Sequence, residues 1–530
     1  MLKTKELLQY GYFPLELPPT FQTITFGDFA TTIPSKQYDD WQDVWHQINS
    51  KTNRQESKCV NFSVPRYKNL RRILNIPNPF YQTILCNHIE KNWKKIEQHI
   101  QKSPISITRP VIPIQRENKD SRSFDQIKDT INNQQVIALK STEFSFALKT
   151  DISRYYPTLY THSISWALHG KDEAKKKRNS SSLFGNELDK CVRSTRDGQT
   201  LGIPIGPDTS IIIAEILTTA VDIELERRIG KLHGLRVIDD YLLFFKEKHM
   251  CEEALECLHE IFKDFELEMN PIKIQILELP YILEPTWVSE IRRFYFRVPQ
   301  NPLNNYSVER YDLINFFSRV NELCTLHPDK NIFKYALKTI HDKQIYEDNL
   351  PLFESLILKS TLTQSSCIAI VAGILKENQN KKYADKNERI GRTLSELIRI
   401  HSKYSNHYEI SWALWLAKEF KIDIDKTLYP LLSKQDNPII VLLTLDLRDH
   451  ELISDEIDDS RWKKFLVKDQ LYDDHWLLAY EAAYNEWIPT SPDYLESDPF
   501  FKTLKDHNVS FYDTTKSEIL SFPGSSTSGF

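Results

Sequence analysis

Residues 236–245, RVIDDYLLFF, place two adjacent carboxylates inside a run of apolar, β-branched and aromatic residues. Aspartate is disfavoured in strands, and at about 4 Å, with an effective dielectric near 20, two unit charges repel by about 4 kcal/mol. A positive partner must therefore offset the repulsion between Asp239 and Asp240. A divalent metal is the usual partner, and hard oxygen ligands select Mg²⁺, with Mn²⁺ as the alternative. A plain hairpin turn rich in Asp is the competing interpretation of this segment taken alone.

The Asp-Asp dipeptide by itself carries little information, because it occurs at 39–40, 239–240, 458–459 and 473–474. Three of the pairs precede the segments WQDVW, SRWKKFL and HWLLAYEAAY, where carboxylates cap or complement the positive end of a helix. The pair at 239–240 instead has strand-forming residues on both sides and no helix to cap. The sequence therefore predicts three helix starts and one acidic β-hairpin.

A third carboxylate comes from FSFALKTDISRYYPTLY, residues 144–160. An alternating apolar strand ends at Asp151, and a helix is predicted to begin near Pro157. Two-metal phosphoryl transfer needs such a carboxylate from a neighbouring strand. Taken alone, Asp151 is better explained as the flank of a helix N-terminus.

A glycine- and proline-containing loop lies between these two elements. In GQTLGIPIGPDTS (198–210), Gly202 and Gly206 surround Pro204, which predicts a stiff loop that allows close approach. Thr209 or Ser210 is the expected cap of a long helix over 211–229. A helix at about 250–264 and a final strand in NPIKIQIL (270–277) complete the order.

This order resembles the palm of a reverse transcriptase. ALKTDISRYYPTLYTHSI (147–164) resembles motif A, GIPIGPDTS (202–210) motif B, VIDDY (237–241) motif C, and NPIK (270–273) motif D. The motif sequences are most similar to those of the bacterial abortive-infection and related defence reverse transcriptases of the AbiK-like group. The early segment GYFPLELPPTF (11–21) also resembles that group. The sequence departs from the usual pattern at Val237, where an aromatic is common, and at Ile205, where Gln is common.

The resemblance implies roles for individual residues. Asp151, Ile152, Asp239 and Asp240 would form the ligand set for two Mg²⁺ ions, with Mn²⁺ as the alternative. Lys273 would protonate the departing pyrophosphate, although a strand lysine is as often simply solvated. Tyr156 would exclude a ribose 2′-OH and so favour dNTPs, although a ring at this position also suits packing under the palm. The remaining expected nucleotide contacts are Lys68, Arg71, Arg72, Pro204 and Gly206.

Three functions are compatible with these residues. The first, which the resemblance implies, is an antiphage-defence DNA polymerase that incorporates dNTPs without a template and is primed by one of its own tyrosines, so that the single-stranded DNA product stays attached. The second is a templated reverse transcriptase that copies a dedicated noncoding RNA. The third is a helical scaffold with an inactive palm, against which the intact carboxylates speak. Among 24 tyrosines the priming residue stays open, and Tyr38 is favoured only by its N-terminal position.

Composition bounds the architecture and the cell compartment. The chain has 530 residues, of which 40% are hydrophobic, enough for two or three domains. The seven cysteines form no CxxC pair, and no signal peptide or membrane span is apparent, so a cytoplasmic protein without membrane association is expected. The net charge of −5 argues against a general nucleic-acid binder. Residues 61–110, however, hold nine Lys/Arg and two Asp/Glu, a local excess that suits phosphates, although a solvated basic face explains it as well.

The sequence as a whole predicts an α+β chain, with fingers and a ferredoxin-like palm followed by an all-α region. Only Gly373 and Gly391 occur between 236 and 522, and amphipathic segments recur at 308–324, 330–342, 387–402, 408–419 and 474–486. The expected divisions are an N-terminal extension (1–60), fingers and palm (61–300), irregular HEAT-like helix pairs (301–515) and a flexible tail (516–530). The resemblance also implies a homo-oligomer.

Overall fold

The computed structural model describes residues 2–34, 36–38, 40–41, 43, 56–66, 70–113, 122–125, 130–178, 180–280, 284–297, 305–490 and 493–517. The architecture is mixed α and β, as predicted. Two small antiparallel sheets lie in the first 280 residues, and the described residues beyond them form helices, turns and loops.

The larger sheet has four strands in the order β4-β5-β3-β6. The strands are β3 (Phe146–Asp151), β4 (Gly234–Val237), β5 (Asp240–Phe245) and β6 (Gln275–Glu278). Helices between β3 and β4 and between β5 and β6 make the chain order β-α-β-β-α-β. With this strand order and all pairings antiparallel, the topology is the ferredoxin-like one that we predicted.

Both faces of this sheet are covered, which explains the continuous apolar run along β5. Leu148 and Leu243 belong to the main core. The helices Asp208–Ile229 and Lys248–Asp264 pack against each other, and the second also packs on β3 and β5. On the opposite face, Ala147 and Phe244 join a smaller cluster with Ile137 of the Thr130–Lys140 helix.

Several predicted boundaries differ from the observed ones. The helix expected near Pro157 is a single turn over Tyr155–Thr158, followed by a second helix over Ser163–His169. The motif B helix begins at Asp208, two residues earlier than a Thr209 cap would allow. NPIKIQIL starts with a 3₁₀ turn over Pro271–Lys273 before β6 begins at Gln275, because the Asn270 side chain accepts the N–H of Ile272 and Pro271 favours the turn.

The second sheet is a hairpin of β1 (Val60–Pro65) and β2 (Arg71–Ile76), in the region predicted as fingers. It lies against the C-terminal helices. Asn437 Nδ2 donates to the carbonyl of Asn61 at 2.7 Å, and the N–H of Ser63 donates to His407 Nδ1 at 3.1 Å. The hairpin is thus fixed to a part of the chain more than 300 residues away.

The remaining helices of the first 300 residues surround these sheets. Those of six or more residues are Thr4–Gln9, Ile24–Thr32, Pro79–Ile100, Lys171–Lys176, Phe184–Ser194 and Thr286–Arg292. Pro79–Ile100 is the longest of this group, and its start is capped by the side chain of Asn78, which accepts the N–H of Phe80 at 3.0 Å.

The C-terminal region is helical, as the scarcity of glycine predicted. Its helices of eight or more residues are Asn305–Leu326, Ile332–Thr339, Leu350–Thr363, Ile368–Glu377, Lys386–His401, His407–Phe420, Pro438–Asp449, Trp476–Tyr484 and Pro499–Asp506. Several of them pack on the helix next along the chain and on the one after it. Their lengths vary from 8 to 22 residues, so a HEAT-like repeat stays a prediction.

The two ends of the described chain meet. Phe511 packs against Tyr12, Phe13 and Phe26, and the N–H of Gln22 donates to the carbonyl of Phe511 at 3.1 Å. The proposed N-terminal extension therefore shares a core with residues near the C-terminus. Residues 518–530 of the predicted tail lie outside the described residues.

The structure also describes the cysteines and the helices that were considered as possible membrane spans. All seven cysteines are free thiols. Within the described ranges, no helix combines the length and the apolar character that crossing a membrane requires.

Candidate active site

Three carboxylates predicted from distant segments meet at one end of the larger sheet. Asp151 ends β3 and Asp240 begins β5, and the antiparallel register places these two residues directly opposite each other. Asp239 is the second residue of the two-residue turn that joins β4 to β5, between the paired Val237 and Asp240. Residues directly opposite in an antiparallel pair have Cβ atoms about 4.5–5.5 Å apart. The sheet thus supplies the convergence that the sequence predicted.

The backbone around the turn links the two acidic segments. The N–H of Ile152 donates to the carbonyl of Asp239 at 3.3 Å, and the N–H of Asn270 donates to the carbonyl of Asp151 at 3.0 Å. β3, the turn and the 3₁₀ segment therefore form one connected rim. Ile152 itself is buried, and its expected contribution to metal binding stays a prediction.

The electrostatics of the site show the cost of bringing these groups together. Burial, and after it the charge of Asp240, raises the pKa of Asp239 to about 7. Burial also raises the pKa of Asp151, against the opposing effect of Lys273. Both shifts indicate a shortage of positive charge around the carboxylates.

Lys273 is the cation that the structure places among them. Its Nζ donates to Asp151 Oδ2 and, at 3.2 Å, to Asp240 Oδ1. Partial burial lowers the pKa of Lys273, but the bonds and charges of Asp151 and Asp240 outweigh that effect and raise it. Lys273 lies on the 3₁₀ turn and not on a strand, which corrects its predicted setting while keeping it at the carboxylates.

The donor set fits a hard divalent cation. Asp151 Oδ1 is buried and has no hydrogen-bond partner among the described residues. The three carboxylates supply the oxygen ligands that Mg²⁺ prefers. Across the described part of the chain, no group of three or more His, Cys, Asp or Glu side chains has a preformed metal-binding arrangement.

Two of the expected nucleotide contacts lie beside the carboxylates. Arg72 is exposed, yet burial lowers the pKa of its guanidinium, and Asp239 and Tyr156 are close enough for their charges to oppose that effect. Burial, and after it the charge of Asp239, raises the pKa of Tyr156. Arg72 and Tyr156 therefore both lie within electrostatic range of Asp239.

The motif B loop is held against the β1–β2 hairpin. The N–H of Asn75 donates to the carbonyl of Ile205 at 2.7 Å, and Asn75 Oδ1 accepts the N–H of Ile205 at 3.0 Å. Gly206 has a φ of +134°, and a Cβ there would lie 2.9 Å from Pro14 and 3.3 Å from the carbonyl oxygen of Asn75. Pro204 is buried beside it. The close approach predicted for this loop is therefore used by the protein's own backbone.

Arg71 has a different partner from the one predicted. Its Nη1 and Nη2 donate to the two oxygens of Glu409 at 2.6 and 2.8 Å, and its Nε donates to Ser63 at 2.8 Å. Glu409 is fully buried in the His407–Phe420 helix. Because its donors are occupied, we exclude Arg71 from the proposed nucleotide site. Lys68 lies outside the described residues.

Sequence reasoning missed two buried ionic groups around the site. Arg122 pairs with Asp208 and donates to the carbonyls of Gly206 and Phe13 at 2.7 Å each, so it ties the start of the motif B helix to the N-terminal GYFP segment. Arg236 pairs with Glu215 and Asp222, and none of these three side chains is exposed. Charged residues inside otherwise apolar segments were the available signal for Arg236, Glu215 and Asp222, whereas Arg122 lies in the polar stretch ENKDSRSFDQ and gave no such signal.

Comparisons with known proteins give little beyond this. No protein-family model matches the chain, and no curated protein matches it. Among solved structures it is similar to apo telomerase from Candida tropicalis, with 11% identity, 78% of this chain and 73% of that chain covered, and a TM-score of 0.30. Telomerase from Candida albicans in complex with a TWJ fragment of telomeric RNA gives 11%, 72%, 71% and 0.27. TM-scores this low do not establish a shared fold or place the chain in a family.

Proposed function

We propose that this chain is a DNA polymerase of the reverse-transcriptase type that adds deoxynucleotides by metal-assisted phosphoryl transfer. The observation that carries the proposal is the meeting of Asp151, Asp239 and Asp240 at one end of a ferredoxin-like sheet, with Lys273 between them. A hairpin with a purely structural role does not need three adjacent carboxylates, one of which has a buried oxygen without a hydrogen-bond partner among the described residues. A site that binds divalent cations and triphosphates does need such carboxylates.

The three carboxylates would hold Mg²⁺, with Mn²⁺ as the alternative, and the bound metal would neutralise phosphate charge and favour the deprotonated attacking hydroxyl. Arg72 would bind the triphosphate, since a guanidinium offers two donors to phosphate oxygens. Tyr156 presents a bulky side chain within electrostatic range of Asp239 and would exclude a ribose 2′-OH. In the transfer, the attacking oxygen forms a bond to the α-phosphorus while the bond to pyrophosphate breaks. Lys273 then donates a proton to the pyrophosphate oxygen.

The biological setting is proposed from the resemblance of the motifs to the abortive-infection group. That resemblance supports a role in antiphage defence, synthesis without a template, a tyrosine of the protein as primer, and a homo-oligomer. The tyrosine is not assigned. Tyr38 is partly buried, and its hydroxyl donates to the carbonyl of Ala30 at 3.0 Å, so the structure adds no reason to prefer it.

The test is incorporation of each labelled dNTP by purified protein, before and after nuclease treatment that removes copurified RNA. We expect labelled product that persists without RNA and migrates with the protein. Product that requires RNA would favour a templated reverse transcriptase. Asp239→Asn should abolish incorporation and phage protection, because it removes one of the charges that hold the metal.

The matched control for this variant is Asp458→Asn, from another Asp-Asp pair. Asp458 is exposed, and its Oδ1 accepts the N–H of Ser460 at 3.0 Å at the start of the Ser460–Lys463 helix. This variant should keep full activity. If Asp239→Asn retained both incorporation and protection, the chain would be a scaffold and not a polymerase.

A further inference from the structure

The turn that carries Asp239 has an unusual backbone. Ile238, its first residue, has a φ of +54°, in the left-handed region that β-branched residues rarely adopt. Glycine or asparagine is the usual residue at such a position. Surrounding contacts must therefore hold the turn in this conformation.

Both backbone polar groups of Ile238 are held by side chains. Its N–H donates to Thr108 Oγ1 at 3.0 Å, and its carbonyl accepts from Arg236 Nη1 at 2.8 Å. The next carbonyl, that of Asp239, accepts the N–H of Ile152. Three backbone polar groups of the turn are thus fixed, and they constrain where the carboxylate of Asp239 points.

These side chains belong to one buried network. Arg236 donates to both oxygens of Glu215 at 3.0 and 3.1 Å and through Nε to both oxygens of Asp222 at 3.2 and 2.9 Å. Glu215 and Asp222 are seven residues apart in the Asp208–Ile229 helix and therefore lie on the same face of it. Thr108 lies two residues after Ser106, which forms an isolated parallel β-bridge with Arg236 of β4. The network therefore joins the turn to the motif B helix.

Few side chains could replace the hydroxyl of Thr108 in its two hydrogen bonds. It donates to Glu215 Oε1 at 2.6 Å and accepts from the N–H of Ile238 at 3.0 Å. Among side chains of similar size, only a hydroxyl both donates to a carboxylate and accepts from an N–H. Valine has the same shape and can do neither.

We infer that Thr108 and Arg236 are positioning residues for Asp239: they hold the turn in the one conformation that points this carboxylate at Asp151 and Asp240. The inference rests on the proposed function, because it assigns them to the same site. A buried ion cluster adds little net stability, since desolvation offsets its Coulomb energy. The geometry that the network imposes on the turn is the better explanation for three fully buried charges beneath it.

The experiment compares Thr108→Val with Thr108→Ser in the full chain. We expect Thr108→Val to lower kcat for dNTP incorporation by about 10–100-fold, since a displacement of about 1 Å in a catalytic group costs about 100-fold. The KM for dNTP should change less than about threefold, because Arg72 and Tyr156 are untouched. Thr108→Ser should stay within about threefold of the wild type. Thr393→Val is the matched control, since it removes a hydroxyl that bonds the carbonyl of Arg389 in the C-terminal helices.

A second readout is independent of activity. Hydrogen exchange of the peptide covering residues 234–242 should show a faster Ile238 amide in Thr108→Val and an unchanged one in Thr108→Ser. Wild-type kcat together with wild-type exchange in Thr108→Val would overturn the inference, even if Asp239→Asn is inactive and the proposed function stands. If the wild type incorporates no dNTP, the proposed function fails, and the exchange result alone decides whether Thr108 holds the turn.

Discussion

Lys273 provides the sharpest test of the site because the structure gives it two roles that a single substitution separates. Its Nζ bonds Asp151 and Asp240, so a divalent cation would compete with it for these carboxylates. During catalysis the same ammonium is proposed to protonate pyrophosphate. Lys273→Met removes the charge and retains a side chain of similar length.

The expected size of the first effect follows from exposure. Lys273 is 44% exposed, and ion pairs this open to solvent contribute about 0.2–1 kcal/mol each. Two such contacts make about 0.4–2 kcal/mol that the metal no longer has to overcome, and since about 1.4 kcal/mol is tenfold in affinity, Lys273→Met should bind Mn²⁺ about 2–30-fold more tightly. General acids contribute about 10²–10⁴-fold to rate, so kcat should fall by at least about 100-fold.

Mn²⁺ affinity is measured by calorimetry without nucleotide, and kcat by single-turnover incorporation of a labelled dNTP. Lys248→Met is the control, since Lys248 is exposed at the start of the Lys248–Asp264 helix and should leave both quantities unchanged. Unchanged or weaker Mn²⁺ binding by Lys273→Met would refute the idea that this lysine takes the place of a cation. An unchanged kcat would refute its role as proton donor.

Three further predictions concern other contacts. Tyr156→Ala should raise the kcat/KM for ribonucleotides relative to deoxynucleotides by at least about tenfold, equivalent to about 1.4 kcal/mol of relieved clash. Tyr156→Phe should leave this ratio unchanged. Equal selectivity in the wild type and both variants would remove the reason for naming DNA as the product. Arg71→Ala leaves the buried Glu409 without its ion-pair partner and should reduce the free energy of unfolding, measured by denaturant titration, by about 3–5 kcal/mol. The double variant Arg71→Met, Glu409→Met should recover most of that loss. Burial raises the pKa of Glu481 to about 8, so its protonated form favours folding, and the stability it contributes, up to about 5 kcal/mol, is lost as pH rises from about 4.5 through 8. Glu481→Gln should therefore gain on the wild type in melting temperature as pH is raised from 6 to 9, and a constant difference would contradict the shifted pKa.

The sequence by itself determined the local elements and the chemistry of the site. Alternating apolar residues before Asp151 and strand formers around Asp239 and Asp240 predicted β3 and the acidic hairpin, because side chains in a strand alternate between faces and a tight turn ends that alternation. Scarce glycine and repeated amphipathic segments predicted five of the C-terminal helices to within three residues at each end. The ferredoxin-like sheet was implied by the resemblance of the motif order to a reverse-transcriptase palm, and the observed β-α-β-β-α-β order agrees with it.

Only the tertiary structure decided which charged groups meet. Arg71 and Arg72 are adjacent and chemically identical, yet one binds Glu409, 338 residues away, and the other lies within electrostatic range of Asp239, because neighbouring residues of a strand point to opposite sides. The left-handed backbone of Ile238 is also set from outside, by Thr108 and Arg236, against the preference of the residue itself. Propensity and periodicity act over a few residues, whereas the pairing of one donor with one of many equivalent acceptors depends on how distant segments pack, and that information is not contained in any local stretch of the chain.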